Sequence, residues 1–375
     1  MAKINILHVY KTSMPASYGG VESFIDTLCK QSSKLGVKNT VLTLHPKPLK
    51  QPIEMDGYSV HQAKQNLFLA STGFSASAFS KFKRLSNDAD IIHYHFPNPF
   101  ADMLHVACRP KKPSIVTYHS DIIKQKQLLH IYRPLKKWFL NSVHQIVATS
   151  PNYFVSSDVL QRYADKVSVI PIGIDPKAYE TVDSERLDFW RSRLSKPFFL
   201  FIGAMRYYKG LHIALEAIAG TEIQIAIAGI NGIEKDLKAQ ASSLQLKNVD
   251  FLGFVGDEDK VALLHLCYGF IFPSHLRSEA FGISLLEAAI VGKPMISCEI
   301  GTGTTFVNSA NETGLVINPG SAPELREAMQ FLIDNPKVAA NMGKNAKKRS
   351  LELFTADQQA KSYHDLYQKM LNSNH

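Results

Sequence analysis

Short apolar runs recur along the chain, most of them followed by a segment whose apolar positions fall at helical spacing. Lys3–Val9 predicts a first strand, followed by a loop and a helix over about Gly20–Lys34. Asn39–Leu44, Ile91–His95, Ser114–Tyr118, His144–Ala148 and Val167–Ile170 predict later strands. The stretch from Pro46 to Gly73 is less regular and predicts no element. After Asp175 the charged segment Pro176–Lys196 lacks a strand pattern and reads as a link. The alternation then restarts with Phe198–Ile202, Gln224–Ala228, Val249–Leu252, Phe270–Phe272, Pro294–Ser297 and Gly314–Ile317. A last helix is predicted over Ala356–Leu371. Repeated strand–helix alternation predicts an α/β protein with parallel sheets covered by helices on both faces, here in two units. The expected bounds are 1–175, a linker at 176–196, 197–355, and a terminal helical piece at 356–375.

Length agrees with two units, since 375 residues exceed one typical domain and an apolar content of 45% fills two cores. No apolar run is long enough to cross a bilayer, and the first residues enter a strand instead of a signal peptide. Cys29, Cys108, Cys267 and Cys298 lack metal or redox spacing. They read as buried thiols in a reducing, cytoplasmic setting. The net charge of +9 is uneven. Arg109, Lys111, Lys112, Lys124, Lys126, Arg133, Lys136 and Lys137 face one acid, Asp121, with Leu128, Leu129, Ile131, Tyr132, Leu135, Trp138, Phe139 and Leu140 interleaved. Such a segment suits an anionic membrane surface, the favoured reading, with a core helix carrying a solvated basic face as the alternative. No nucleic-acid motif accompanies it, so nucleic acid is not an expected partner.

The stretch Ser278-Glu279-Ala280-Phe281-Gly282-Ile283-Ser284-Leu285-Leu286-Glu287 carries the most chemistry. One carboxylate stands just before a predicted helix N-terminus and a second lies inside that helix. The terminus has unpaired N–H groups and a positive dipole end, so it attracts phosphate. Acids bracketing an anion site suggest hydroxyls gripped on either side of a diphosphate, as in a nucleotide-sugar. A helix with an acidic first turn is the plainer reading. Ahead of this stretch, Phe198–Ile202 and Gly203 open into Ala204-Met205-Arg206-Tyr207-Tyr208-Lys209-Gly210, before the amphipathic Leu211–Ile218. Arg206 and Lys209 thus sit at the carboxyl edge of a strand, where ligands of open α/β sheets bind. Cations there can stabilise a departing diphosphate; solvated surface charge is the alternative.

Other loops add weaker signals. Tyr18-Gly19-Gly20-Val21 precedes the first helix, and its glycines allow close approach of backbone amides or simply a helix-entry turn. His119 ends a strand in Thr117-Tyr118-His119-Ser120-Asp121, and Asp121 could orient it or bind acceptor. Ser150-Pro151 predicts an ordered turn, with a structural role as open as a functional one. Glu299-Ile300-Gly301-Thr302-Gly303-Thr304-Thr305 offers amides and hydroxyls, including Thr302, without the third glycine or clean helix of a dinucleotide fingerprint. Asp88-Ala89-Asp90 precedes a strand, the wrong edge for metal-assisted chemistry, and reads as a turn. No metal-ligand cluster is evident, and neither metal nor cofactor is expected.

Taken in order, Tyr18-Gly19-Gly20-Val21-Glu22, Thr117–Asp121, Ile170-Pro171-Ile172-Gly173-Ile174-Asp175, Arg206–Gly210 and the Glu279-x7-Glu287 element resemble glycosyltransferase family 4 over nearly the whole chain. The resemblance implies the GT-B fold, two Rossmann-like domains facing a cleft, with the C-terminal helix packed back on the first. It implies an acceptor-binding first domain and a nucleotide-sugar-binding second domain. It further implies a retaining transfer of a hexose, with the leaving phosphate helping to take the acceptor proton. Lys209 and Arg206 with the Phe281, Gly282, Ile283 and Ser284 backbone would stabilise the diphosphate. Glu287 would bind ribose, Glu279 and His119 would hold the hexose, and Gly19 and Gly20 would lie over phosphates and acceptor. One departure stands out, because many members carry arginine where this chain has Ala204, so Arg206 either substitutes for it or has another task. Arg206–Gly210 with Ser297–Thr304 is similar to bacterial O-antigen mannosyltransferases, which favours GDP-mannose and an undecaprenyl-diphosphate-linked saccharide at the inner face of the membrane. UDP-sugars, a GT-B sugar-nucleotide epimerase and a non-catalytic sugar-nucleotide-binding assembly partner remain as alternatives.

Overall fold

The computed structural model describes residues 4–122, 126–194 and 196–373, with the side chains of 126–129 and 131 also outside the description. The chain divides into two compact units: Met1–Gly173 with Ala356–His375, and Ile174–Thr355.

In the first unit the strands are β1 Ile4–Val9, β2 Val37–His45, β3 Ile53–Met55, β4 Tyr58–Lys64, β5 Leu67–Leu69, β6 Thr72–Phe74, β7 Ile91–Phe96, β8 Ser114–Tyr118, β9 Gln145–Ala148 and β10 Val167–Val169. Eight of them form one sheet in the order β10-β9-β8-β7-β1-β2-β4-β3. All its pairs are parallel except β3 with β4. The order reverses between β1 and β7, and that switch point is where open α/β sheets place ligands. β5 and β6 form a separate antiparallel hairpin. The stretch that has no regular sequence pattern thus holds β3, β5 and most of β6, too brief to display a period, and also β4, a seven-residue strand paired with β2 that the sequence pattern does not predict.

The C-terminal helix, Ala356–Asn372, belongs to this first unit, as the family resemblance implies. It packs against the first helix, Gly20–Lys34, and its tyrosines reach the sheet. Tyr367 Oη lies 2.7 Å from His93 Nδ1, and Tyr363 Oη lies 2.7 Å from Thr117 Oγ1. The Gln359 amide oxygen accepts from the Gly173 N–H at 2.6 Å. Tyr363 and Tyr367 are fully buried, so each hydroxyl requires such a partner.

The second unit has β11 Phe198–Ile202, β12 Gln224–Ala228, β13 Val249–Gly253, β14 Gly269–Phe272, β15 Met295–Cys298 and β16 Gly314–Ile317. Their order is β13-β12-β11-β14-β15-β16, all parallel, with the reversal between β11 and β14. Phe198–Phe201 and Phe270–Phe272 are buried throughout, which explains why they read as unbroken apolar runs instead of alternating ones. The segment 176–196, read as a link, folds into this unit: a 3-10 turn at Pro176–Tyr179 and a helix at Ser184–Arg193. Trp190 alone anchors that helix in the apolar interior, 5% exposed, with Nε1 donating to Asp259 at 2.9 Å. One buried aromatic among charges leaves no periodic signal.

Candidate active site

In the second unit the site lies at the switch point. β11 ends at Gly203 and leads through Ala204, exposed, Met205, fully buried, and Arg206, exposed. A 3-10 turn, Tyr207–Lys209, follows, and Gly210 opens the helix Leu211–Ile218. Gly210 has φ 71°, and a Cβ there would stand 2.0 Å from the Pro273 carbonyl oxygen at the end of β14. Only glycine lets these two strand ends come so close. That approach brings Lys209 Nζ onto Glu279 Oε2, an ion pair whose side chains are 12% and 11% exposed. Lys209 Nζ also sits 4.6 Å from the centre of the Phe272 ring. The ammonium has three donors, so pairing with one carboxylate oxygen leaves capacity for a second anion.

After Glu279, Phe281 is buried and Gly282, at φ 90°, opens the helix Ile283–Val291. Its first turn presents backbone N–H groups that have no partner within a helix, the arrangement that holds phosphate. Within that helix Glu287 Oε1 accepts from Tyr179 Oη at 2.7 Å and from Lys260 Nζ at 2.9 Å. Burial opposes the charge on Lys260, but Glu287 and Asp257 outweigh it and hold its pKa above the ordinary lysine value. Burial, then Glu287, pushes Tyr179 well up, so it acts as a donor. Glu287 is thereby held in place as an acceptor.

In the first unit, register gathers a second set. β1 to β7 pairs His8 with His93, β1 to β2 pairs Ile6 with Asn39, and β7 to β8 pairs His95 with Thr117. Side chains two apart share a sheet face, so Asn39, His8, His93, His95 and Thr117 all project to one side. His119 follows immediately after β8, its N–H donating to the Phe96 carbonyl at 3.0 Å. Its Nε2 lies 3.2 Å from His95 Nδ1, and the Phe24 ring stands edge-on at 4.8 Å. Burial lowers its pKa to about 3, so the imidazole is neutral near pH 7.

His8, His93 and His95 lie close enough to suggest a metal centre. Yet every ring nitrogen in the trio already has a hydrogen-bond partner: His8 with His95 and Asn39, His95 also with His119, His93 with Tyr367 and Thr117. Lone pairs used this way cannot converge on an ion.

Comparison with known proteins agrees with this layout. Residues 18–178 match the model described as Glycosyltransferase Family 4, and residues 184–349 match Glycosyl transferases group 1. The chain is 52% identical over 353 residues to the D-rhamnosyltransferase WbpZ of Pseudomonas aeruginosa, covering 94% of this chain and 93% of that protein. It is 46% identical over 370 residues to the O-antigen chain mannosyltransferase C of Escherichia coli, covering 99% and 100%. The chain belongs to glycosyltransferase family 4. Among solved structures, sucrose-phosphate synthase from Thermosynechococcus elongatus superposes with a TM-score of 0.82 over 99% of this chain and all of that one, at 20% identity. The fold is GT-B.

The remaining predicted residues of this glycosyltransferase divide by their surroundings. Asp121 Oδ1 accepts from Tyr118 at 2.8 Å and Ser157 at 3.1 Å, and among the described residues the side-chain hydrogen-bond partner of His119 is His95, not Asp121. Ser150 is fully buried and its Oγ accepts from the Tyr153 N–H at 3.1 Å, capping the helix Pro151–Ser156. Thr302 is fully buried, its hydroxyl 3.4 Å from that of Thr304, so it braces the loop from within. A Cβ on Gly303 would stand 2.6 Å from the Phe281 ring, so that loop supports the Phe281–Ser284 segment, and one helical turn, Thr304–Val307, follows it. Gly19 has extended backbone, and a Cβ there would meet the Glu22 carboxylate at 2.6 Å. Gly20 begins the first helix. Glu22, the last residue of the glycine motif, has no role assigned from sequence. It is 9% exposed and accepts from Thr12 at 2.6 Å and Ser17 at 3.2 Å, tying down the glycine loop. Its signal was an acid one turn after paired glycines.

Proposed function

We propose that this glycosyltransferase is a retaining mannosyltransferase that uses GDP-mannose to extend an undecaprenyl-diphosphate-linked saccharide in O-antigen assembly. The observation that carries the reading is the Lys209–Glu279 pair at the switch point, beside the glycine-opened N-terminus of Ile283–Val291. In this reading Lys209 and Arg206 receive the negative charge that gathers on the departing diphosphate, and the Ile283 and Ser284 amides bind it from the helix end. Glu287 takes ribose hydroxyls, and Glu279 and His119 take hydroxyls of the sugar. Gly19 and Gly20 let the loop approach donor and acceptor. The cationic side chains do the work of a divalent metal, and water exclusion limits donor hydrolysis.

The mannosyl and D-rhamnosyl relatives frame the donor question. D-Rhamnose is 6-deoxymannose, so both names point to one sugar configuration, and a GDP-linked D-rhamnose donor is the second reading. The test is a panel of GDP-mannose, GDP-D-rhamnose and UDP-sugars with lipid-linked acceptor, followed by the anomeric configuration of the product. Nucleotide release that ignores the acceptor, or an epimerised sugar nucleotide formed without one, would overturn the proposal.

The reading includes an anionic membrane surface. The helix Pro99–Cys108 packs against both the Lys126–Ser142 helix and the β5–β6 hairpin. Leu67, Phe68 and Leu69 on that hairpin are 55%, 64% and 61% exposed, an apolar run that a water-facing loop does not need. Arg109, Lys111, Arg133 and Lys137 are exposed, while Tyr132 donates to buried Asp102 and Phe139 and Leu140 are buried. The basic helix therefore has one docked face and one charged face. Lys124 lies outside the described residues, as do the side chains of Lys126, Leu128, Leu129 and Ile131. Among the described residues no helix is long and apolar enough to cross a membrane.

A further inference from the structure

The buried histidines of the first unit form a single file with a direction. At its inner end the Asn39 side-chain amide donates to the Cys29 carbonyl at 3.1 Å and to Ser32 Oγ at 3.0 Å. A carbonyl oxygen can only accept, so the NH₂ of Asn39 must face Cys29 and its oxygen must face His8. That oxygen, 3.2 Å from His8 Nε2, can only accept as well, so His8 carries its proton on Nε2. His8 is fully buried and neutral, its pKa lowered by burial to about 4, so Nδ1 holds a lone pair. The nitrogen facing it at 3.1 Å, His95 Nε2, must then be the N–H. His95 is likewise neutral through burial, so its Nδ1 accepts, and His119 Nε2 at 3.2 Å must donate. Each step leaves one choice, and the file ends with His119 Nδ1 bare. That nitrogen has no hydrogen bond among the described residues, and His119 as a whole is 7% exposed. His93 stacks on His95 at 4.4 Å and 24° and is held by Thr117 and Tyr367, which fixes the ring planes.

We propose that Asn39, His8 and His95 are positioning residues: a one-way chain of hydrogen bonds, anchored on a backbone carbonyl, holds His119 as its Nε2–H tautomer, so that Nδ1 meets a hydroxyl of the donor sugar purely as an acceptor. The inference rests on the reading that His119 contacts that sugar. A neutral imidazole free in water exchanges between two tautomers and can donate or accept at either nitrogen. The relay removes that ambiguity. It selects a ligand group able to donate, a hydroxyl, and disfavours an oxygen that can only accept.

Two measurements test it. Imidazole nitrogen shifts of the uniformly ¹⁵N-labelled full chain, without ligand near pH 7, should show His119 with Nε2 protonated and Nδ1 bare as one species; His119→Asn identifies its signals. An exchanging mixture, or a proton on Nδ1, would overturn the relay. The second measurement compares turnover of GDP-mannose with lipid-linked acceptor in His119→Asn and His119→Gln. Asparagine can place a carbonyl oxygen where Nδ1 stands, whereas glutamine reaches toward His95 and leaves the Nδ1 position empty. His119→Asn should retain at least about tenfold more kcat, the order of one hydrogen bond. Equal or reversed losses would remove Nδ1 as the working acceptor. A wild-type protein inert toward the whole donor panel would instead sink the functional reading, and the nitrogen spectrum would still decide the relay.

Discussion

Replacing Lys209 separates catalysis from stability, because its pairing with Glu279 makes opposite demands on the two. Both side chains are close to nine-tenths buried, so Lys209→Met leaves the Glu279 carboxylate with little water and no cation. Ser274 Oγ, at 3.5 Å, is a weak replacement partner. Breaking a buried pair from one side costs about 3–5 kcal/mol, and the residual exposure here favours the lower end, about 3 kcal/mol. In a unit of this size that corresponds to a fall in Tm of about 6–12 °C. Lys209→Met with Glu279→Gln removes the stranded charge and should recover most of that loss. Turnover should not follow, since the cation that meets the diphosphate is still missing and its removal costs about 10²–10³-fold in rate. Arg206 supplies the control. It is exposed and makes no ion pair among the described residues, so Arg206→Ala should lower turnover without moving Tm if it replaces the cation absent at Ala204. The assay is saturating-donor turnover beside thermal unfolding for all four proteins. Near-normal turnover in Lys209→Met, or recovery of turnover in the double variant, would refute the leaving-group role. An unchanged Tm in Lys209→Met would refute the energetic reading of the pair.

Three further outcomes follow from the same geometry. If Lys209 and Arg206 take the leaving-group charge as proposed, transfer should survive EDTA; activity abolished by chelator and restored by magnesium or manganese would reverse that assignment. Stability of the first unit should pass through a maximum near pH 6.5. From about pH 4 to about 8 the folded Asp102, its pKa raised by burial to about 8, keeps a proton that the unfolded carboxyl has lost, so it lowers stability as pH rises. Below about pH 6.5 it is outweighed by His8 and His119, lowered by burial to about 4 and about 3, which refuse protons that the unfolded chain binds, and above about pH 6.5 it acts alone. Asp102→Asn should therefore remove the decline from about pH 6.5 to about 8 in urea melts and steepen the rise between about pH 4 and about 6.5, where Asp102 opposes the histidines; a persisting alkaline decline would rule out Asp102 as its source. Purified protein should bind anionic vesicles and release as salt rises; changing Leu67, Phe68 and Leu69 to serine, or Arg109, Lys111, Arg133 and Lys137 to serine, should each weaken binding, and two silent variants would return the basic helix to a purely structural role.

The two Rossmann-like halves were legible because parallel strands buried on both faces read as apolar runs, and Phe198–Ile202 and Ile91–His95 stand clear of their neighbours. The Lys209 loop and the Glu279–Glu287 stretch were legible for a related reason: glycines mark where strand ends open, and charges beside them have few structural excuses. Other features carry no local signature. The helix Ser184–Arg193 is held through Trp190, and β3, β5 and β6 are three residues each. Ser150 and Thr302 sit in loops of the right composition, yet burial and their immediate partners make them braces. Sequence position cannot distinguish a hydroxyl turned inward from one turned out.

The histidines show where that limit has chemical consequences. Read singly, His8, His93 and His95 are unremarkable residues in apolar strands, and only His119 stands in a recognisable motif. Parallel register gathers His8, His93 and His95 on one sheet face and His119 joins them just past the end of β8, a relation spread over more than a hundred residues of chain that no local spacing encodes. Burying neutral imidazoles is costly unless each polar atom finds a partner, and here each inner nitrogen finds one. An apolar set of similar volume would pack as well, since replacing buried polar networks by hydrocarbon is often neutral or stabilising. What hydrocarbon could not do is transmit a direction. The chain from the Cys29 carbonyl to His119 conveys one: it gives the outermost ring a single tautomer, and stability alone has no use for that choice.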